Sequence, residues 1–415
     1  MKKKKIKLTE EQREVVYSDE KNILVVAGAG TGKTRVLTER IKRLLEEGVD
    51  PESIVAITFT NLAANEIKDR LSRVEGVKDC FIGTIHGFAN SILRDAKVSK
   101  GIFTDEKFIE IAEKLITRHC RDLTIEKFRK GFISKFEPGY DEYRALMGYP
   151  DAQPVSHIPI TIPDYAREQG FLTFNDMLVL GKETYSEDFV KHLLVDEFQD
   201  VGVLEYSFLK GLKADNNFFV GDDWQSIYGF KGGDVNIMLD IYRGKRGSFK
   251  TYSLTQNFRS GEYIINASEE VIDEIENKIE KRLRSQRDIP GSVVECPVFG
   301  PEDLIEHVTD NSAIIVRSKK DLTAVKECLE FNGVSHLCVT TKTEMDPNAM
   351  RNLLSGKQVV LLTCHQAKGL EFDRVIIYGK NLPLRSTNAW NGQVDERKVM
   401  YVALTRAKDE VLICN

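Results

Sequence analysis

One segment constrains the fold more than any other part of the chain. The apolar run Ile23–Ala27 ends in Ala27-Gly28-Ala29-Gly30-Thr31-Gly32-Lys33-Thr34 and leads at once into the helix-like Thr34–Glu47. A strand feeding a helix through a glycine loop is a P-loop, here with Ala27 in place of the first glycine. The glycines let successive backbone N–H groups point into the loop and surround phosphate oxygens, and the helix N-terminus adds its dipole and free donors. Lys33 then reaches the β- and γ-phosphates and the Thr34 hydroxyl binds Mg²⁺. By itself this leaves a kinase, a GTPase and a motor open.

The rhythm recurs. Ile54–Thr58 predicts a strand, Ala63–Arg73 a helix and Phe81–Thr84 a strand; Leu193–Val195, Phe218–Val220, Thr251–Leu254, Ala313–Val316, Val359–Thr363 and Val375–Tyr378 are further short apolar runs. Short apolar strands alternating with helices predict parallel, doubly wound α/β sheets. Between about residues 90 and 170 charged amphipathic helices and a Pro/Gly-rich stretch interrupt this pattern, which predicts a small, mostly helical insertion. The expected organisation is a first α/β domain of 1–89 and 171–250, the insertion 90–170, and a second α/β domain over 251–415, with the run Asp240–Lys250 as the linker.

Composition excludes several classes. No stretch approaches the roughly 18 apolar residues that a membrane span needs. The basic start Lys2–Lys5 is not followed by a signal-peptide core, so a cytoplasmic location is expected. Seven scattered cysteines form no C-x-x-C pair, which speaks against a zinc ribbon or a secreted disulfide framework. The net charge of −5 is unusual for a protein that holds nucleic acid by bulk electrostatics, but compatible with a local groove that releases phosphates in each cycle.

Val195-Asp196-Glu197-Phe198-Gln199-Asp200 ends the buried strand Leu193–Val195. Adjacent carboxylates at the carboxyl edge of such a strand suit one Mg²⁺ ligand, Asp196, and one base for water, Glu197. A kinase needs no base for water, so the pair favours hydrolysis.

With these strings in place the chain resembles the UvrD/Rep (PcrA-like) branch of superfamily 1A DNA helicases, nearly end to end. Gln12 resembles the adenine-reading glutamine, Ala27–Arg35 motif I, Phe59-Thr60-Asn61 motif Ia, and Gly83–Gly87 the DNA-contacting motif that follows. Asp196–Asp200 resembles motif II, Val220–Gly232 motif III, Gln256–Ser260 motif IV, Thr363–Phe372 motif V and Tyr401–Ala407 motif VI. The resemblance implies two RecA-like P-loop domains with ATP and Mg²⁺ between them. It implies a nucleotide site of Gln12, Ala27, Gly28, Ala29, Gly30, Thr31, Gly32, Lys33, Thr34, Arg35, Phe258, Arg259, Glu371 and Arg406. Arg259 and Arg406 would act as arginine fingers, Gln225 would couple the γ-phosphate to the DNA track, Glu371 would accept from the ribose and Phe258 would stack on adenine. For the track it implies Phe59, Thr60, Asn61, Thr84, His86, Tyr228, Phe230, Lys231, Thr363 and His365, where base–aromatic stacking tolerates any sequence.

The implied activity is ATP-dependent, 3′→5′ translocation on single-stranded DNA and unwinding of tailed duplex. A different class remains: an ATP-switched DNA-binding subunit of a repair, replication or defence complex, with little unwinding of its own. The full hydrolytic set favours the first. Departures from the family pattern are Leu62 for a lysine, Phe258 for tyrosine, Phe230-Lys231 for Trp-Arg, and Trp224 where many members have aspartate. The slot for an accessory domain, about Thr341–Gly356, is loop-sized and the sequence ends nine positions past Arg406. These points predict a compact member, with a protein partner supplying missing contacts as one option. RNA as a substrate stays open.

Overall fold

The computed structural model describes residues 7–98, 101–102, 104–130, 145–147, 158–186, 189–339, 358–379 and 396–414. The expected loop at Thr341–Gly356 lies outside these residues. The chain divides into two compact units, one of Met1–Ile82, Val190–Val203 and Ala214–Asn415, the other of Gly83–Phe189 and Leu204–Lys213.

The first six-stranded sheet has the order β3-β2-β6-β7-β1-β8. Its strands are β1 (Asn22–Ala27), β2 (Ile54–Thr58), β3 (Phe81–Thr84), β6 (His192–Val195), β7 (Asn216–Gly221) and β8 (Lys250–Leu254); β4 (Gly101–Ile102) and β5 (Phe171–Leu172) form a separate pair. Pairings β2–β6, β6–β7, β7–β1 and β1–β8 are all parallel. Parallel strands are covered on both faces, which is why β2 reads as an unbroken apolar run and is buried throughout. Helices Glu10–Tyr17, Lys33–Glu46 and Asn61–Leu71 cover one face with Val15, Val16, Val36, Leu37, Ile41, Ala64, Ile67 and Leu71.

The second sheet has the order β11-β16-β15-β12-β14-β13, again parallel: β11 (Ser292–Cys296), β12 (Ser312–Val316), β13 (His336–Cys338), β14 (Val359–Thr363), β15 (Phe372–Tyr378) and β16 (Ala407–Cys414). Side chains alternate between two cores with the strand period. Ala313, Ile315, Val360, Leu362, Val375 and Ile377 face helix Glu396–Leu404, while Ile314, Val316, Val359, Leu361 and Ile376 face helix Lys319–Phe331. Short strands β9 (Gln256–Asn257) and β10 (Arg284–Ser285) pair beside them. Mixed α/β architecture with parallel sheets is thus as the sequence predicts.

The second unit is mostly helical. Its core gathers Ile111, Leu115, Ile116, Phe128, Ile162 and Ala166, and Gly181 of helix Phe174–Thr184 lets Ala89 of helix Ile85–Asp95 approach closely: a Cβ there would lie 3.3 Å from the Ala89 Cβ. No helix among the described residues is long and apolar enough to cross a membrane.

Because β1, β6 and β7 run parallel, their carboxyl ends share one edge, and the three loops leaving it carry Gly28–Gly32, Asp196–Asp200 and Asp222–Gln225. Leu361→Ala, a fully buried truncation in the second sheet, is expected to lower stability by about 2–5 kcal/mol, read as a fall in the urea midpoint of that sheet's unfolding.

Candidate functional site

Most helices here begin on a threonine or serine whose side chain accepts from the first turn, as Thr9, Thr60, Thr84, Thr173, Ser318 and Thr363 do. Helix Lys33–Glu46 begins on Gly32, in the left-handed region with φ 89° and no side-chain cap. Gly30 is also left-handed at φ 68°. Both positions need glycine for a second reason: a Cβ on Gly30 would sit 2.7 Å from the Arg259 Cβ, and one on Gly32 would sit 2.9 Å from Gln12 Nε2. An uncapped helix start behind left-handed glycines is a donor cradle that fits a polyphosphate. Arg35, half-buried, follows on its first turn.

The carboxylates of the β6 loop face this glycine loop. Glu197 adopts the left-handed region at φ 50°, uncommon for a side chain of its size. The sharp turn sets Asp196 against Thr34, whose Oγ1 donates to Asp196 Oδ2 at 3.3 Å, and Glu197 against Lys33, with 3.2 Å between Nζ and Oε2. Burial, reinforced by the Glu197 charge, raises the Asp196 carboxyl. Burial also works against Glu197, but Lys33, Lys368 and a hydrogen bond from Gln199 outweigh it and hold its carboxyl below the usual range. Two adjacent carboxylates are therefore driven apart, Glu197 being the one held ionised. Thr34 and Asp196 are the pair that would hold Mg²⁺; their oxygens suit a hard cation.

From Glu197 a chain of polar contacts crosses to the second sheet. Gln199 Nε2 donates to Glu197 Oε2 at 2.5 Å and its Oε1 accepts from the Asp222 N–H at 2.8 Å. Gln225 Nε2 donates to Asp222 Oδ2 at 2.6 Å, and Gln225 Oε1 accepts from Arg406 Nη2 at 3.2 Å. Arg406 is 1% exposed and donates further to the Val402 and Leu370 carbonyls and the Thr405 hydroxyl. Burial pushes its guanidinium down to about 9, with the Arg259 charge adding to the shift. Of the catalytic set named from sequence (Lys33, Glu197, Gln225, Arg259 and Arg406), all but Arg259 lie on one continuous path.

Other expected nucleotide residues are engaged with the protein itself. Arg259 Nε donates to Glu371 Oε2 at 3.0 Å and Nη1 to the Thr405 carbonyl at 3.1 Å; Glu371 also faces Lys408. Burial opposes ionisation of Glu371, but Arg259 and Lys408 lower its carboxyl on balance. Gln12 Nε2 donates to the Thr31 carbonyl at 3.0 Å, and Thr31 in turn donates to the Gly28 carbonyl. The Phe258 ring is 44% exposed and its N–H donates to the Gly30 carbonyl at 2.9 Å. Ala27 closes β1, and Ala29 is held from both sides: its N–H donates to the Tyr401 hydroxyl and its carbonyl accepts from Asn257 Nδ2.

An aromatic surface adjoins this path. Phe59 stacks on Tyr228 with centroids 4.8 Å apart, and Phe230, 48% exposed, meets His365 edge-on at 5.1 Å. Lys231 Nζ lies over Tyr228 at 4.8 Å, and the Tyr228 hydroxyl donates to the His365 carbonyl. Burial pushes His365 down to about 4, and its buried Nε2 meets no hydrogen-bond partner among the described residues. Thr60 and Asn61 are exposed beside Phe59. In the other unit Thr84 caps helix Ile85–Asp95, and His86 lies edge-on to the exposed Phe174, its pKa lowered by burial.

Sequence reasoning named motif V without a role for Lys368. Its ammonium contacts Asp200 Oδ2, donates to the Gln225 carbonyl at 2.8 Å and lies 4.9 Å from the Tyr228 ring centre, touching hydrolytic path and aromatic surface together. Asn257 and Tyr401 were named within motifs IV and VI but given no role, and Lys281 was missed altogether.

The UvrD/REP helicase N-terminal domain family matches residues 8–245, and the UvrD-like helicase C-terminal domain family matches 339–415. A probable DNA helicase of Mycoplasma pneumoniae is 28% identical, the alignment covering 97% of this chain and 82% of that protein. A probable DNA helicase II homolog of Rickettsia conorii is 30% identical over 97% of this chain and 68% of its own length. DNA helicase II of Escherichia coli is 30% identical over 66% of this chain, which spans only 42% of its length.

Burial raises Asp200 to about 6, Lys368 opposing and Glu197 reinforcing the shift. A carboxyl raised in the folded state binds its proton more tightly there, so its contribution falls as pH climbs from the unfolded value near 3.8 to about 6. Asp200→Asn lacks this titration. Across thermal melts in a pH series, the stability difference is expected to move in the variant's favour up to about pH 6 and stay level above it; a difference independent of pH would contradict the raised carboxyl.

Proposed function

The chain belongs to the UvrD/REP helicase family, and on that premise we propose that it is an ATP-dependent translocase on single-stranded DNA and a DNA helicase moving 3′→5′. In this reading 1–89 with 171–250 and 251–415 are the two motor lobes, 90–170 is an insertion, and the protein works in the cytoplasm. The observation that carries it is the polar path from Lys33 and Glu197 through Gln199, Asp222 and Gln225 to Arg406.

ATP with Mg²⁺ fits the uncapped helix start, Lys33, and the Thr34–Asp196 oxygen pair. The metal, when bound, supplies neutralisation of charge on the β- and γ-phosphates. Lys33 and the loop N–H groups bind the phosphates, Glu197 accepts the proton of the attacking water, and Gln225 orients the reacting end of the site. Arg406 and Arg259 supply positive charge where it develops in the transition state. To do so Arg259 must exchange Glu371 for phosphate, so hydrolysis is linked to a rearrangement at the lobe junction. The strand runs over Phe59, Tyr228 and Phe230, with Lys231, Asn61, Thr60, Thr363 and His365 beside it. Lys368 relates the two regions, since one ammonium contacts both Asp200 and the Tyr228 face.

Steady-state ATP hydrolysis with and without a single-stranded oligonucleotide tests the reading; strong stimulation is expected. Lys33→Ala should abolish turnover, and Arg406→Ala should retain ATP binding while turnover falls by roughly 10³-fold or more. Phe230→Ala should weaken stimulated turnover more than basal. Unwinding of 3′-tailed but not 5′-tailed duplex checks polarity. Slow turnover indifferent to the strand would support the ATP-switched binding subunit, with unwinding supplied by a partner protein.

A further inference from the structure

Outside every motif, the segment 279–285 lies strapped across the mouth of the first sheet. The Ile279 N–H donates to Asp223 Oδ2 at 2.8 Å, and the Ile279 carbonyl accepts from the Trp224 indole at 3.1 Å. Leu283 covers Gly28 so closely that a Cβ there would come within 2.2 Å of Leu283 Cδ2, and Arg284–Ser285 continues as β10 beside β9. At the centre of the strap is Lys281, its side chain 2% exposed, with Nζ 2.8 Å from Asp222 Oδ1, 2.6 Å from Asp223 Oδ1 and 4.3 Å from the Trp224 ring centre.

We propose that Lys281 is a positioning residue for ATP hydrolysis, fixing the Asp222 carboxylate so that it sets which end of the Gln225 amide faces Arg406. The chemistry of the two oxygens makes this specific. Asp222 Oδ1 takes Lys281 and the Trp224 N–H, leaving Oδ2 as the acceptor for Gln225 Nε2 at 2.6 Å. A carboxylate presents only acceptors, so the amide nitrogen must point to Asp222 and the amide oxygen must point away, where Arg406 Nη2 meets it at 3.2 Å. The Asp222 N–H meanwhile holds Gln199, which holds Glu197. With Lys281 absent, two buried, adjacent carboxylates repel each other and Asp222 loses the charge that fixes its rotamer. Lys281 acts through Asp222. Trp224 completes the node, giving the ammonium an aromatic face and packing edge-on against Tyr401, whose hydroxyl accepts from the Ala29 N–H of the glycine loop.

This inference rests on the proposed ATP hydrolysis, and the test separates the two. In the full chain, DNA-stimulated hydrolysis is measured for Lys281→Met, Lys281→Arg, Gln225→Ala and the double variant Lys281→Met/Gln225→Ala. Lys281→Met should lower kcat by about tenfold or more with KM for ATP within about twofold, and Lys281→Arg should recover part of the loss. Because Lys281 acts through Gln225, the double variant should be no slower than Gln225→Ala alone, whereas independent effects multiply. Multiplying effects, or a loss confined to KM, would overturn the proposal. Asp222→Asn serves should Lys281→Met not fold: it leaves Lys281 and Asp223 as a balanced pair, but asparagine has one acceptor oxygen for Lys281 and Gln225 together. Its loss should likewise vanish in the Gln225→Ala background, and a loss that persists there overturns the proposal. A wild-type chain without ATP hydrolysis would instead remove the functional reading itself.

Discussion

Buried charge at the junction of the two sheets is the constraint on which the rest of the structure depends. Asp222 and Asp223 are fully buried and Asp200 nearly so, each meeting its counter-charge from outside the first sheet. Buried Arg406 keeps most of its donors in its own lobe and sends one across the junction. Lys281 answers Asp222 and Asp223, Lys368 answers Asp200, and Arg406 meets Gln225. An unpaired buried ion is destabilising by several kcal/mol, so the sheets are held in register by which charges can meet. Apolar contact at the junction includes the small cluster of Ala29, Trp224, Ile272, Ile275 and Tyr401, and Ile227 with Tyr228 packed into the second sheet's core.

Such a junction suits a machine that opens and closes. An apolar interface loses free energy in proportion to the area exposed, whereas a polar one can exchange partners, provided each exposed group finds water or phosphate instead. Arg259 illustrates the exchange. Its guanidinium rests on Glu371 and the Thr405 carbonyl, both at the amino-terminal edge of the second sheet, one residue away from β15 and two from β16. Phosphate oxygens present the same acceptor geometry to an arginine as a carboxylate does. Lys368 and His365 lie on the same short return from β14 to β15, so a shift of that segment moves Asp200's partner and the aromatic surface's edge together.

What was legible in the sequence follows from this division. Ile54–Thr58 and Val359–Thr363 announce themselves because parallel strands covered on both faces read as unbroken apolar runs. The final strand, Ala407–Cys414, did not, because its first half carries Lys408, Asp409 and Glu410, committed to Glu371 and Asp373, to Arg287, and to Arg374 respectively. Lys281 was illegible for a related reason: it sits in a charged run, Lys278–Arg284, that reads as solvated surface, and its partner Asp223 is 58 positions away. Residues whose chemistry is declared by neighbours in sequence, such as Lys33 or Glu197, were found. Gln225 and Arg406, which meet across the two sheets, were found only through the resemblance, and Lys281, outside every motif, was missed.

The threonines expected along the nucleic-acid track show how a local role limits a functional one. Thr60, Thr84 and Thr363 each cap a helix, accepting from Ala63, Gly87 and Gln366. A capping hydroxyl still has its hydrogen to offer, and the helix start it fixes presents backbone donors that favour phosphate. Thr363 is different. Its hydrogen goes to Gln366 Oε1 at 3.0 Å, the same oxygen that accepts the Thr363 N–H, so its single donor is spent within a capping box. Gln366 Nε2 then ties the box to the Val339 carbonyl. The Thr363 hydroxyl thereby anchors the turn that carries His365 and Lys368.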